Sequence, residues 1–143
     1  MEPLLSLCLV GPLRQFAAGD ELVCEYQVDA VAPDEIQAVE ASVLWHTEGK
    51  GEEDMGVHFF ERRLPADAEE NDLRPLRRLR TRLPSSPLTY SGAILSIQWC
   101  VRLRVFLRRG RDLVVEQPFT LGSVPQAVPQ AALALAETGK SRR

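Results

Sequence analysis

Ala93-Ile94-Leu95-Ser96-Ile97-Gln98-Trp99-Cys100-Val101-Arg102-Leu103-Arg104-Val105-Phe106-Leu107-Arg108-Arg109 is the stretch that decides the fold. Its alternate positions Ala93, Leu95, Ile97, Trp99, Val101, Leu103, Val105 and Leu107 are all apolar. The interleaved set is Ile94, Ser96, Gln98, Cys100, Arg102, Arg104, Phe106 and Arg108, and it is mostly polar. A period of two sustained over this length predicts one long strand with a buried face and a solvated face. A helix would scatter the arginines around its circumference.

The same alternation recurs outward from this strand. Leu22, Cys24, Tyr26, Val28 and Ala30 alternate with Glu21, Val23, Glu25, Gln27 and Asp29. Val39, Ala41, Val43 and Trp45 alternate with Glu40, Ser42, Leu44 and His46. Met55, Val57 and Phe59 alternate with Gly56, His58 and Phe60. Leu79, Thr81 and Leu83 alternate with Arg78, Arg80 and Arg82. Residues 4–10 add a first strand and residues 112–121 a last one, which makes seven. Turn-forming residues separate them: Ala18-Gly19-Asp20, Pro33-Asp34, Glu48-Gly49-Lys50-Gly51, Pro84 to Pro87, Ser91-Gly92 and Arg109-Gly110-Arg111. Arg109-Gly110-Arg111-Asp112 reads as a tight hairpin turn, and residues 65–75 as a longer acidic loop. Seven strands with regular turns and no convincing helix predict an all-β fold, an antiparallel immunoglobulin-like β-sandwich of two packed sheets.

The chain has 143 residues, 45% of them hydrophobic and 26% charged, the composition of one globular domain. The domain is expected over residues 1–122. Residues 123–143, after Pro125 and Pro129, are expected to form a flexible tail, with 130–137 able to form a short helix by propensity. Met1 to Val10 lacks the basic start and the small-residue cleavage pattern of a signal peptide. No apolar stretch approaches the ~20 residues of a membrane-spanning helix. A cytoplasmic location is the resulting expectation. Cys8, Cys24 and Cys100 cannot all pair within one chain, and they read as buried reduced thiols.

The net charge of −3 conceals an asymmetry. Residues 1–61 carry 13 acidic and 2 basic side chains, whereas residues 62–143 carry 7 and 15. In a sandwich, acidic strands of the first half would meet basic strands of the second, and cross-strand ion pairs would absorb much of the difference.

Three segments together resemble the arrestin clan. Phe16-Ala17-Ala18-Gly19-Asp20-Glu21-Leu22-Val23 is similar to the aromatic and Gly-acid turn that leads into the clan's second strand. Leu83-Pro84-Ser85-Ser86-Pro87-Leu88-Thr89-Tyr90-Ser91-Gly92 resembles its connection between sheets. Ile97-Gln98-Trp99-Cys100-Val101-Arg102-Leu103-Arg104-Val105 resembles its long strand, and Pro118-Phe119-Thr120-Leu121-Gly122 closes the match. The resemblance covers residues 4–122. It implies an immunoglobulin-like sandwich and an adaptor or scaffold role. Eukaryotic arrestins have two such domains and this chain has room for one, so no phosphate-sensing residues carry over.

Motifs for chemistry are scarce. His46 and His58, with Glu48 and Asp54, could flank one hairpin, but two imidazoles without ligand spacing read as surface histidines rather than a metal site. Gly49-Lys50-Gly51 lacks the spacing of a phosphate loop and Glu52-Glu53-Asp54 that of a calcium loop. There is no nucleophile elbow, and the cysteines have no evident base. The expectation is therefore a protein that is not an enzyme and needs no cofactor or metal. It would bind a protein partner through a sheet face or an edge strand.

The alternative reading rests on arginines. Arg78, Arg80 and Arg82 crowd one strand, and Arg102, Arg104 and Arg108 stripe the long one. Were these strands to share a face, they would form a concave basic patch for an anionic membrane surface or an acidic or phosphorylated ligand. Against this, Glu21, Glu25, Asp29 and Glu40 on exposed faces would neutralise it. The isoelectric point of about 5.4, with aromatic residues not interleaved along the basic strip, argues against nucleic acid. Edge strands and the outward Phe106 leave self-association open.

Overall fold

Antiparallel pairing organises most of the chain into two sheets. The computed structural model describes residues 3–12, 14–51 and 53–122. The expected tail, residues 123–143, lies outside them. The strands are β1 (Leu4–Leu9), β2 (Gln15–Phe16), β3 (Glu21–Asp29), β4 (Ile36–Gly49), β5 (Met55–Arg63), β6 (Arg77–Arg82), β7 (Tyr90–Ser91), β8 (Leu95–Leu107) and β9 (Leu113–Leu121). The seven expected strands are all present. Two short ones, β2 and β7, are additions that no alternation could have signalled, because each has only two residues.

The smaller sheet has the order β1-β3-β6. The larger runs β2-β9-β8-β4-β5, with β7 paired to β8 beyond the end of β9. The β8–β9 hairpin turns at Gly110, whose φ of 86 is open to glycine without a Cβ penalty. Inward side chains of both sheets fill one core. Leu22, Cys24, Tyr26 and Val28 of β3 meet Val39, Ala41 and Val43 of β4 and Trp99, Val101, Leu103 and Val105 of β8. Each such aliphatic side chain contributes ~1.5–3 kcal/mol by leaving water. At one end Phe119 meets Phe16 edge-to-face and Trp99 at a tilt, with ring centroids 5.7 and 5.8 Å apart.

The long strand departs from its expected pattern at one end. Ala93 and Leu95, assigned to the buried face, are exposed, because β8 starts only at Leu95 and runs there along the sheet margin. Ala30, assigned to the buried face of β3, lies beyond the strand with a φ of 62. Conversely, Ser42 and Leu44 point away from the core as expected, yet they are buried, and outward-facing Cys100 is buried as its reading as a buried thiol required. They sit on β4 and β8, which have paired strands on both sides. Cys8, expected to be buried, is exposed, because it points outward from the edge strand β1.

Two of the motif segments are joined to each other. The carboxylate of Asp20 accepts from the backbone N–H of Ala17 at 2.8 Å and shapes the turn. Gly19 N–H donates to the Leu83 carbonyl, and Leu83 N–H donates to the Asp20 carbonyl. The turn before β3 thus holds the start of the connection that carries the chain from β6 across to the larger sheet. The 65–75 loop forms two single 3-10 turns, Pro65–Asp67 and Glu69–Asn71, and is pinned by buried Leu73.

Candidate functional site

The outer face of the larger sheet is built from rows of side chains crossing its strands. One row runs Val57, Leu44, Cys100, Pro118. The next runs Phe60, Ser42, Arg102, Glu116, and the third Arg62, Glu40, Arg104, Val114. At the centre of the sheet these rows are closed and matched. At the β5 end they are apolar and open: Met55, Val57 and Phe60 are 52%, 51% and 54% exposed.

A β-bulge produces this concentration. The pairing of β4 with β5 shifts between Val43 and Leu44, so that Val43 faces Phe59 but Leu44 faces Val57, and His58 is left over. His58 and Phe59 then both turn inward. Phe59 packs on the core, and His58 Nε2–H donates to the Arg82 carbonyl at 2.8 Å while its ring meets Trp99 edge-on. Phe60, which simple alternation from Met55 places opposite to Met55 and Val57, joins them on the outer face.

β5 is also the edge of its sheet and pairs with β4 alone. Its inner side is fastened to β6 of the other sheet. Arg77 donates from Nε and Nη2 to the two Glu61 carboxylate oxygens at 2.9 and 2.7 Å, and His58 reaches Arg82. That two-pronged ion pair holds the Arg77 guanidinium charged by raising its pKa further. The strand is therefore held in place from below and from one side, while its other long side stays unpaired among the described residues.

The arginines named from the sequence do not form one surface. Arg78, Arg80 and Arg82 lie on β6, on the outer face of the smaller sheet. Arg102 and Arg104 lie on the outer face of the larger sheet, on the far side of the molecule, and Arg108 lies just past the end of β8. The single concave patch does not form, because β6 and β8 belong to different sheets. Each guanidinium also has a partner. Arg78 pairs with Glu25 at 2.6 Å, Arg80 with Glu21 at 3.5 Å, Arg102 with Glu116 at 2.6 Å and Arg104 with Asp112 at 2.8 Å. Arg82 and Arg108 donate to the carbonyls of Gly19 and Asp34. The expected neutralisation by Glu21 and Glu25 is observed. Glu40 instead meets Arg62, and Arg62 and Arg104 both lie over the Phe106 ring, 5.2 and 4.9 Å from its centroid.

His46 and His58 are separated in the same way. His46 points outward to Glu48 at 3.2 Å, and His58 points inward to β6. Among the described residues no group of three metal-ligating side chains comes together. A cleft of about 410 Å³ opens where β7 and β9 diverge along β8, over Trp99, Gln98 and Tyr90. Among the described residues no carboxylate, imidazole or thiol lines it. No helix among the described residues is long and apolar enough to cross a membrane.

These features define an arrestin-like β-sandwich whose most distinctive surface is an open, apolar sheet edge. Among solved structures, the chain is similar to the sporulation control protein Spo0M from Bacillus subtilis, with a TM-score of 0.59 and 11% identity over 85% of this chain and 49% of that one. The chain thus spans about half the length of Spo0M, and at that identity the likeness is one of fold. No family model and no curated protein matches the sequence.

Proposed function

We propose that the chain is a non-catalytic interaction module, an adaptor or scaffold of a reducing compartment such as the cytoplasm. It takes an extended strand from a protein partner along β5. The observation that carries this reading is the coincidence of an unpaired strand edge with three half-exposed apolar side chains on one face of it. An added strand would find main-chain groups to bond and, at alternate positions, apolar surface to cover. The seam to β6 supports the reading, because a pre-ordered edge loses little entropy when it binds. The alternative, an anionic membrane surface or an acidic ligand held by Arg102 and Arg104 or by Arg78 and Arg80, has less support, since each of these guanidiniums is already matched.

Selection of a displayed library of random extended peptides against the full chain tests the reading. Enriched peptides should carry alternating apolar residues. They should lose binding to Val57→Lys and Phe60→Lys while keeping it for Val23→Lys on the outer face of the smaller sheet. Enriched binders indifferent to both β5 changes would refute it.

A further inference from the structure

Resting on that reading of the β5 edge, we propose that the strand it takes is β5 of a second copy, paired antiparallel about a two-fold axis. The bulge supplies the first argument. It puts Met55, Val57, Phe60 and Arg62 on the outer face and Gly56, His58, Phe59 and Glu61 on the inner one. A two-fold axis perpendicular to the sheet keeps outer face with outer face, so facing residues must lie on the same side. In a regular strand this requires facing residues an even number of positions apart. The bulge inverts that rule for any pair that spans it.

One symmetric register matches at every step. Val57 faces Phe60 of the second copy, Met55 faces Arg62, Gly56 faces Glu61 and His58 faces Phe59. Shifting this register so that Met55 meets Phe60 sets outward Val57 against inward His58. Shifting it the other way sets inward Phe59 against outward Phe60. In the matched register the two most exposed pairs of apolar side chains, Val57 with Phe60 and its symmetry equivalent, stack on one face at the centre of the interface.

Charge supplies the second argument. Glu53 and Asp54 immediately precede the strand, and Arg62 and Arg63 end it. Antiparallel pairing sets the acidic end of each copy beside the basic end of the other, with Asp54 facing Arg63, while Arg62 keeps its own partner Glu40. A parallel arrangement would oppose like with like. Such a pairing is closed, uses both open edges at once and joins the larger sheets into one. Of the smaller sheet's two edges, β6 is joined to β5 through Arg77 and Glu61, and β1 has no charged side chain between Leu4 and Leu9 to select a register.

Sedimentation of the full chain, with paired charge variants, decides the matter. The unmodified chain should sediment at the mass of two copies. Glu53→Lys with Asp54→Lys should yield single copies by repulsion, and so should Arg62→Glu with Arg63→Glu. An equimolar mixture of the two double variants should recover the two-copy mass, an outcome that misfolded variants could not give. An unmodified chain that sediments as one copy through the micromolar range would overturn self-pairing, as would a mixture that stays monomeric when each variant retains the circular dichroism of the unmodified chain. If that monomer still binds selected peptides in a manner sensitive to Val57→Lys, edge pairing stands and only the second copy falls. If the peptides fail as well, the edge reading falls with it.

Discussion

Val57 and Leu44 face each other on the outer side of the larger sheet, yet Leu44 is 1% exposed and Val57 51%. The difference comes from position in the sheet. Leu44 has strands on both sides, whereas Val57 has a neighbour on one side only. Two facing side chains of the same class therefore serve different purposes, and mutation should separate them. Leu44→Ala should cost ~3 kcal/mol of stability, as deletion of buried methyl groups does. Val57→Lys should stay within ~0.5 kcal/mol, as for surface changes generally, and should abolish strand binding at the edge. Urea denaturation of the two variants, read beside their peptide binding, checks both halves of the expectation.

The longer strands were legible because period two is written into most of them, and the core positions of β3, β4 and β8 followed except at Ala30 and at the start of β8. What could not be read was the order of strands within the sheets. Without it, outward-facing Ser42 and Leu44 read as solvated and outward-facing Cys8 as buried. The bulge was invisible for a related reason: it exists only relative to β4, and Val57-His58-Phe59-Phe60 taken alone reads as simple alternation. The arginines were visible, but whether they shared a face depended on β6 and β8 lying in one sheet, and they do not. The cross-strand matching of Glu21 and Glu25 with β6 was legible, since the charge asymmetry between the two halves of the chain required partners somewhere.

Trp99 Nε1–H donates to the Pro87 carbonyl at 2.8 Å and so ties the core to the connection that crosses between sheets. Trp99→Phe removes the donor and leaves a void beside Phe119. We expect a loss of ~2 kcal/mol, with Trp99→Ala nearer 4 kcal/mol. Thermal unfolding should show both losses. The Phe variant should also speed amide exchange around Thr89, whose N–H bonds to Leu121 and which follows the released segment.

Matched arginines should make poor anchors. At physiological ionic strength the chain should not be retained on vesicles of acidic phospholipid, because recruiting Arg102 or Arg104 would strand Glu116 or Asp112. Removing the acids should change this: Glu116→Gln with Asp112→Asn frees two guanidiniums on one face and should produce weak, salt-sensitive retention. Vesicle co-sedimentation of both proteins across a salt series measures it. Firm retention of the unmodified chain that vanished on charge reversal at Arg102 and Arg104 would instead favour the anionic-surface reading.

The three thiols should behave as two classes. Burial pushes the Cys24 thiol up to about 12, with further upward contributions from Cys8 and Glu25, and burial pushes Cys100 up to about 11, with Glu116 raising it further. Both are inward of the solvent boundary, while Cys8 stands exposed on β1. A maleimide applied to the folded protein at neutral pH should therefore label Cys8 alone, and all three after denaturation, as intact mass would show. The same shifts set a pH dependence. A thiol whose folded value lies above its unfolded value of 9.0 holds its proton more tightly in the folded state. The stability this provides is complete below pH 9 and is lost as the pH rises toward the folded values. Melting temperature should thus be insensitive to these groups at neutral pH and fall progressively above pH 9. Cys24→Ala combined with Cys100→Ala should flatten that alkaline decline even though the lost packing lowers the melting temperature at pH 7. An unchanged slope in the double variant would assign the decline to other groups, with Tyr26, also raised by burial, the first to examine.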